Sequence, residues 1–78
     1  MSLGELIRSA RERAGMSLQD LADATGASKG HLHGVEQGKT VDIGILLAAR
    51  LSIALGLTIT ALASAAVGSA MIATGGDK

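Results

Sequence analysis

His31 and His33 stand two apart in the stretch KGHLHGVEQGK, residues 29–39, beside Lys29, Gln37 and Lys39. Imidazole is a common metal ligand. On a helix, however, residues two apart project about 200° from one another and cannot hold one ion between them. The chain has no cysteine, so no thiolate site is available and neither a metal nor a cofactor is expected. Catalysis has as little to work with. There is no phosphate-cradling loop of the GxxxxGKS kind, and 78 residues leave little bulk for an enclosed pocket beside a core. No catalytic residue is assigned and no enzymatic activity is expected. What these side chains can do is donate hydrogen bonds. A lysine at the start of a helix can donate to guanine O6 and N7 or to a phosphate. A histidine can donate to a base edge or, once protonated, to a phosphate.

Donors of that kind need a rigid element to carry them, and residues 17–38, SLQDLADATGASKGHLHGVEQG, supply one. Apolar residues recur at Leu18, Leu21 and Ala22, then at Leu32 and Val35, which gives each of two short helices one stripe facing a shared core. Ser17 and Ser28 stand where N-caps belong. Gly26 and Gly38 stand where helix ends take a left-handed residue. Two helices joined by a glycine turn match the helix-turn-helix unit, whose second helix enters the DNA major groove. At 100° per residue, Leu32, Val35 and Glu36 share one side of that second helix. Gly30, His33, Gly34 and Gln37 share the other, with Lys29 at its edge.

The flanks read as further helices. Leu3, Leu6, Ile7, Ala10 and Ala14 make a stripe of helical period, opened by a Ser2/Glu5 capping box and closed by Gly15. Asp42 fits an N-cap for a fourth helix, from about Ile43 to Leu55. Gly56 ends it, and Thr58 can cap a fifth from Ile59 onward. With no proline and no aromatic residue, the core must be aliphatic. The expected fold is one all-α, five-helix domain over residues 1–70, with a tail over 71–78 that is loose from Thr74.

The stretch LGELIRSARERAGMSLQDLADATGASKGHLHGVEQGKT resembles the DNA-binding domain of the lambda-type phage repressors and Cro proteins, a helix-turn-helix family of XRE-like domains. The likeness rests on Arg11, Gly15, Met16, Ser17, Leu21, Ala22, Gly26, Ser28, Leu32, Glu36, Gly38, Lys39 and Thr40 at the family's spacing. It continues through ALGLT at residues 54–58 and covers roughly residues 3–66. It implies a lambda-repressor-like fold and a sequence-specific transcriptional regulator that binds operator DNA as a homodimer. Base-reading positions then fall on Lys29, Gly30, His33 and Gly34. Phosphate-positioning contacts fall on Ser28, Leu18 and Gln19, with His31, Gln37 and Lys39 completing the DNA face. The resemblance also implies a partly buried ion pair between Arg11 and Glu36, a geometry that suits the planar arginine fork. The sequence departs from the family where two reading positions are glycine and where Leu18 replaces a polar residue.

The chain carries seven basic and seven acidic residues, for a formal charge of zero. A nucleic-acid binder of that balance must pattern its charge locally. If Arg11 neutralises Glu36, the face around Lys29, His31, His33 and Lys39 becomes positive. Arg8 and Arg13 could add phosphate contacts or simply keep the surface soluble. No signal peptide pattern is visible, because Glu5, Arg8, Arg11, Glu12 and Arg13 interrupt any apolar run. A cytoplasmic location is expected.

The last third is different in kind. Residues 43–76 hold one charge, Arg50. The run LSIALGLTITALASAAVGSAMIA, residues 51–73, is long enough to cross a bilayer on length alone, and Ala61, Ser64, Ala65 and Gly68 resemble small-residue helix-packing faces. The competing reading breaks the run at Gly56-Leu57-Thr58 into two core helices. It then covers the remaining apolar surface by dimerisation, through Leu62, Ala65, Ala66, Ser69 and Met71. Membrane association is the lesser expectation. The alternative function is a small protein-interaction module on the same scaffold, binding a host or partner protein.

Overall fold

Each of the first three helices starts on a serine whose hydroxyl caps it. Ser2 Oγ accepts from the Glu5 N–H at 3.2 Å, and the Glu5 carboxylate accepts from the Ser2 N–H at 3.0 Å. Ser17 and Asp20 repeat the exchange at 3.0 and 2.9 Å. Ser28 Oγ accepts from the His31 N–H at 3.0 Å. Each bond satisfies a backbone donor that a helix start would otherwise leave orphaned. The structure, a computed structural model, describes residues 2–75, and side chains as far as Ser69. Helix α1 is Leu3–Arg13, α2 is Leu18–Thr25, α3 is Lys29–Glu36, α4 is Gly44–Leu55 and α5 is Ile59–Gly75. All five expected helices are present.

The core is aliphatic and draws on every helix. Leu3, Ile7, Leu21, Ala22, Leu32, Val35, Leu51 and Leu62 form its buried centre. Two glycines allow the packing. Gly26 ends α2 at φ 75°, a conformation that costs a residue with a Cβ and turns the chain toward α3 within three residues. Gly4 lies under the end of α3, where an added Cβ would stand 2.5 Å from the Glu36 carbonyl oxygen and 2.6 Å from that of Val35. The stripe of α1 therefore includes a glycine that periodicity alone does not mark.

Two expectations about the C-terminal third need correction. Asp42 does not cap α4. The N-cap is Ile43, with no side-chain cap bond, because Ile43 packs on the core while Asp42 stays exposed. The residues expected at a dimer interface also have partners within the chain, although Ala66 still lines the open groove between α4 and α5. Leu62 is completely buried in the chain's own core. Burying a leucine contributes roughly 1.5–3 kcal/mol, so it is not available to a partner. Ala65 and Ala66 are half-buried against the same core, and Ser69 Oγ accepts the Leu3 N–H at 3.0 Å, capping α1 from α5. Leu62, Ala65, Ala66 and Ser69 are spaced i, i+3, i+4 and i+7, which is the stripe a helix turns inward. The side chain of Met71 lies outside the described residues.

Helix α5 continues past the expected boundary at residue 70 as far as Gly75; Gly76–Lys78 lie outside the described residues. Among the described residues, no helix is long and apolar enough to cross a membrane.

Candidate nucleic-acid interface

Helix α3 presents one face and buries the other. Leu32 and Val35 are buried, 0% and 1% exposed, while Lys29, Gly30, His31, His33, Gln37 and Lys39 are exposed and Gly34 is half-buried. Burial of the two apolar residues fixes the helix about its axis, and that rotation decides which side chains face out. Gly30, His33, Gly34 and Gln37 form the outer strip, with Lys29 on one flank. His31 falls on the other flank, lining an open cleft with Gly26, Ala27, Ile43 and Arg50. The two histidines thus serve different surroundings. The Lys39 N–H donates to the Gly34 carbonyl at 2.9 Å, which ties the lysine's backbone to the end of α3.

Ser28 has two roles open to it. Its oxygen is engaged by the His31 N–H, but its own hydroxyl hydrogen remains available for a phosphate. On α2, Gln19 is exposed and donates to Asp23 at 2.9 Å. Leu18 is partly buried against the core and offers no hydrogen-bond donor.

Glu36 is the acidic residue closest in sequence to this strip, and Arg11 neutralises it. Arg11 Nε donates to Glu36 Oε2 at 2.7 Å and Nη2 to Oε1 at 3.1 Å, while Nη1 donates to the Met16 carbonyl at 2.9 Å. The two side chains are 14% and 4% exposed. The Glu36 carboxylate holds the Arg11 guanidinium above its ordinary pKa. The fork ties α1 to the end of α3 and to the start of the α2 segment at once. By contrast, Arg8 pairs with Glu12 at 3.3 Å in open solvent, where such pairs contribute little.

Gly30 and Gly34 are free of any steric demand. A Cβ at either would meet nothing within 4 Å, and neither has a positive φ. The fold would accept a larger residue at both positions, so their smoothness belongs to the exposed face and not to the core.

Sequence reasoning missed Thr25 and Arg50. Thr25 is buried yet satisfied: Oγ1 donates to the Leu21 carbonyl at 2.8 Å and accepts from the Ala27 N–H at 3.4 Å. Arg50 Nη1 donates to the Thr25 carbonyl at 3.3 Å. The signal for Arg50 was its isolation as the one charge in residues 43–76.

Comparison with known proteins agrees with this architecture. Residues 2–49 match a family described as a helix-turn-helix domain. The crystal structure of the clp gene regulator ClgR from Corynebacterium glutamicum is similar at a TM-score of 0.72 and 33% sequence identity, over 96% of this chain and 80% of that one. No curated protein matches the chain.

Proposed function

The chain belongs to the helix-turn-helix domain family, and from that premise we propose that it is a sequence-specific transcriptional regulator of the phage repressor/Cro type, binding operator DNA as a homodimer. DNA-binding transcriptional regulation is the coarse function of the family. The observation that supports the finer reading is the exposed face of α3. It offers Lys29, His33, Gln37 and Lys39 as donors, while the Glu36 carboxylate is turned away and neutralised by Arg11. Lys29 and His33 read base edges. Ser28, Gln19 and Lys39 position the phosphates, and His31 joins them from its flank. Gly30 and Gly34 let the helix backbone approach the base edges closely. The protein acts in the cytoplasm.

The dimer uses the outer side of α4 and α5. Ile45, Ile59 and Val67 are 80%, 44% and 57% exposed, and with Ala63 they border one apolar groove between the two helices. Soluble monomers seldom leave such surface bare. A twofold axis there would present two α3 helices to half-sites roughly one DNA turn, about 34 Å, apart.

Selection of bound sequences from a random duplex pool tests both parts. The expected product is a palindrome with half-sites one turn apart. No enrichment would remove sequence specificity, and a single unpaired half-site would remove the dimer. A second reading, a protein-interaction module, is favoured by Leu46 and Ile53, 60% and 84% exposed on the α4 flank that carries Arg50. Recovery of a protein complex without retention on duplex DNA would support it.

A further inference from the structure

We propose that Arg50 is a positioning residue that clamps the turn between α2 and α3 and so sets how α3 is presented. The last turn of α2 contains no basic residue of its own, although the end of a helix carries unpaired carbonyls and a partial negative charge. Arg50 comes from α4, 25 positions away in sequence, and donates from Nη1 to the Thr25 carbonyl. The same nitrogen would stand 3.5 Å from a Cβ added at Gly26, so the guanidinium lies alongside the glycine of the turn as well.

Thr25 passes the constraint on. Its backbone carbonyl is held by Arg50. Its buried hydroxyl bonds back to Leu21 and forward to the Ala27 N–H. Gly26, Ala27 and Ser28 are the entire connection between the helices. Fixing Thr25 and Ala27 leaves the turn little freedom, and Ser28 begins α3 directly after it. In a stretch otherwise without charge, Arg50 thus stands against the turn of the helix-turn-helix unit. The clamp stands on these bonds alone; its effect on DNA affinity rests on the function proposed above.

The test compares wild type with Arg50→Met, which keeps the aliphatic stem, and Arg50→Lys, which can still donate to the carbonyl. Amide hydrogen exchange in the intact protein reads the clamp. In Arg50→Met, the Gly26 and Ala27 amides should exchange about tenfold faster, the scale of losing one charge-assisted bond. The Ile7 and Ala10 amides of α1 should keep their wild-type rates, and Arg50→Lys should restore most of the protection. Unchanged exchange at Gly26 and Ala27, or faster exchange in step with α1, would overturn the clamp. On duplex DNA, Arg50→Met should bind several-fold more weakly with the same dependence of log K on log salt. A slope reduced by about 0.9, the mark of one lost phosphate contact, would also overturn it and make Arg50 a direct ligand of the backbone. Wild-type protein that ignores duplex DNA would defeat the proposed function, while the exchange rates would still decide the clamp.

Discussion

The first three helices and the last two are built by different means. Residues 2–42 carry eleven charged residues, and residues 43–75 carry only Arg50. In the first region each helix starts on a serine that caps it, two of the three in reciprocal boxes. A bidentate ion pair joins α1 to α3. In the second, α4 has no side-chain cap bond, and Ile45, Leu46, Ile53, Ile59 and Val67 are left at the surface. Directional bonds specify the first region, which must hold a helix at a defined angle. Burial dominates the second, beside a few directional bonds from Thr58, Ser69 and Arg50, and it has apolar surface to spare. One end exposes hydrogen-bond donors, and the other leaves apolar side chains at its surface.

Breaking the directional side should have the largest effect on stability. Arg11→Met leaves the Glu36 carboxylate buried without its partner, and loss of one member of such a pair costs roughly 3–5 kcal/mol. Arg11→Met combined with Glu36→Leu should recover part of that loss. A thermal-unfolding cycle over the four proteins checks the coupling; strictly additive changes would mean that the pair does not organise the region.

A smaller effect sharpens the contrast between what the fold needs and what the exposed face needs. Gly30→Ala and Gly34→Ala should each stabilise the folded chain by about 1 kcal/mol, because alanine is the better helix former and both positions have open space. Duplex affinity should nevertheless fall if the bare backbone meets the base edges. Denaturant titration beside a binding isotherm separates the two; a fall in stability would show that the glycines serve the fold.

The smallest effect is in acid. Hydrogen bonds from Ser17 and Ser2 hold the Asp20 and Glu5 carboxylates below their ordinary pKa values of 3.8 and 4.5. A carboxylate depressed in the folded state contributes stability above its unfolded pKa, lost as pH falls through the folded one. The two boxes should therefore weaken below about pH 4.5 and more steeply below pH 3.8. Asp20→Asn should flatten its share of the profile, measured as thermal midpoint against pH. Identical profiles for wild type and variant would remove the α2 box from the account.

Legibility in the sequence followed the same division. Capping is local, so Ser2, Ser17, Ser28 and Thr58 could be placed from a few neighbouring residues. Alternating apolar and polar faces gave α1 to α3 their orientation. Helix α5 has no polar face from Ile59 onward, and nothing in its composition says which side turns inward. Leu62, Ala65, Ala66 and Ser69 share an inward stripe, but they looked equally fit for an outer one. Asp42 was a chemically reasonable cap, displaced because burial of Ile43 governs where α4 starts. Gly4 and Arg50 depend on contacts with residues more than twenty positions away, which no local pattern contains. The glycines of α3 were visible in the sequence, but the open space around them was not.

The most direct test of the account is an equilibrium titration of duplex DNA with wild type, Lys29→Ala and His33→Ala at several salt concentrations. If α3 presents its outer strip to the major groove, wild-type affinity falls with salt. Each substitution that removes a base-edge donor should then cost about 1–3 kcal/mol. Isotherms that superimpose for all three proteins would contradict the assignment of α3 as the reading helix.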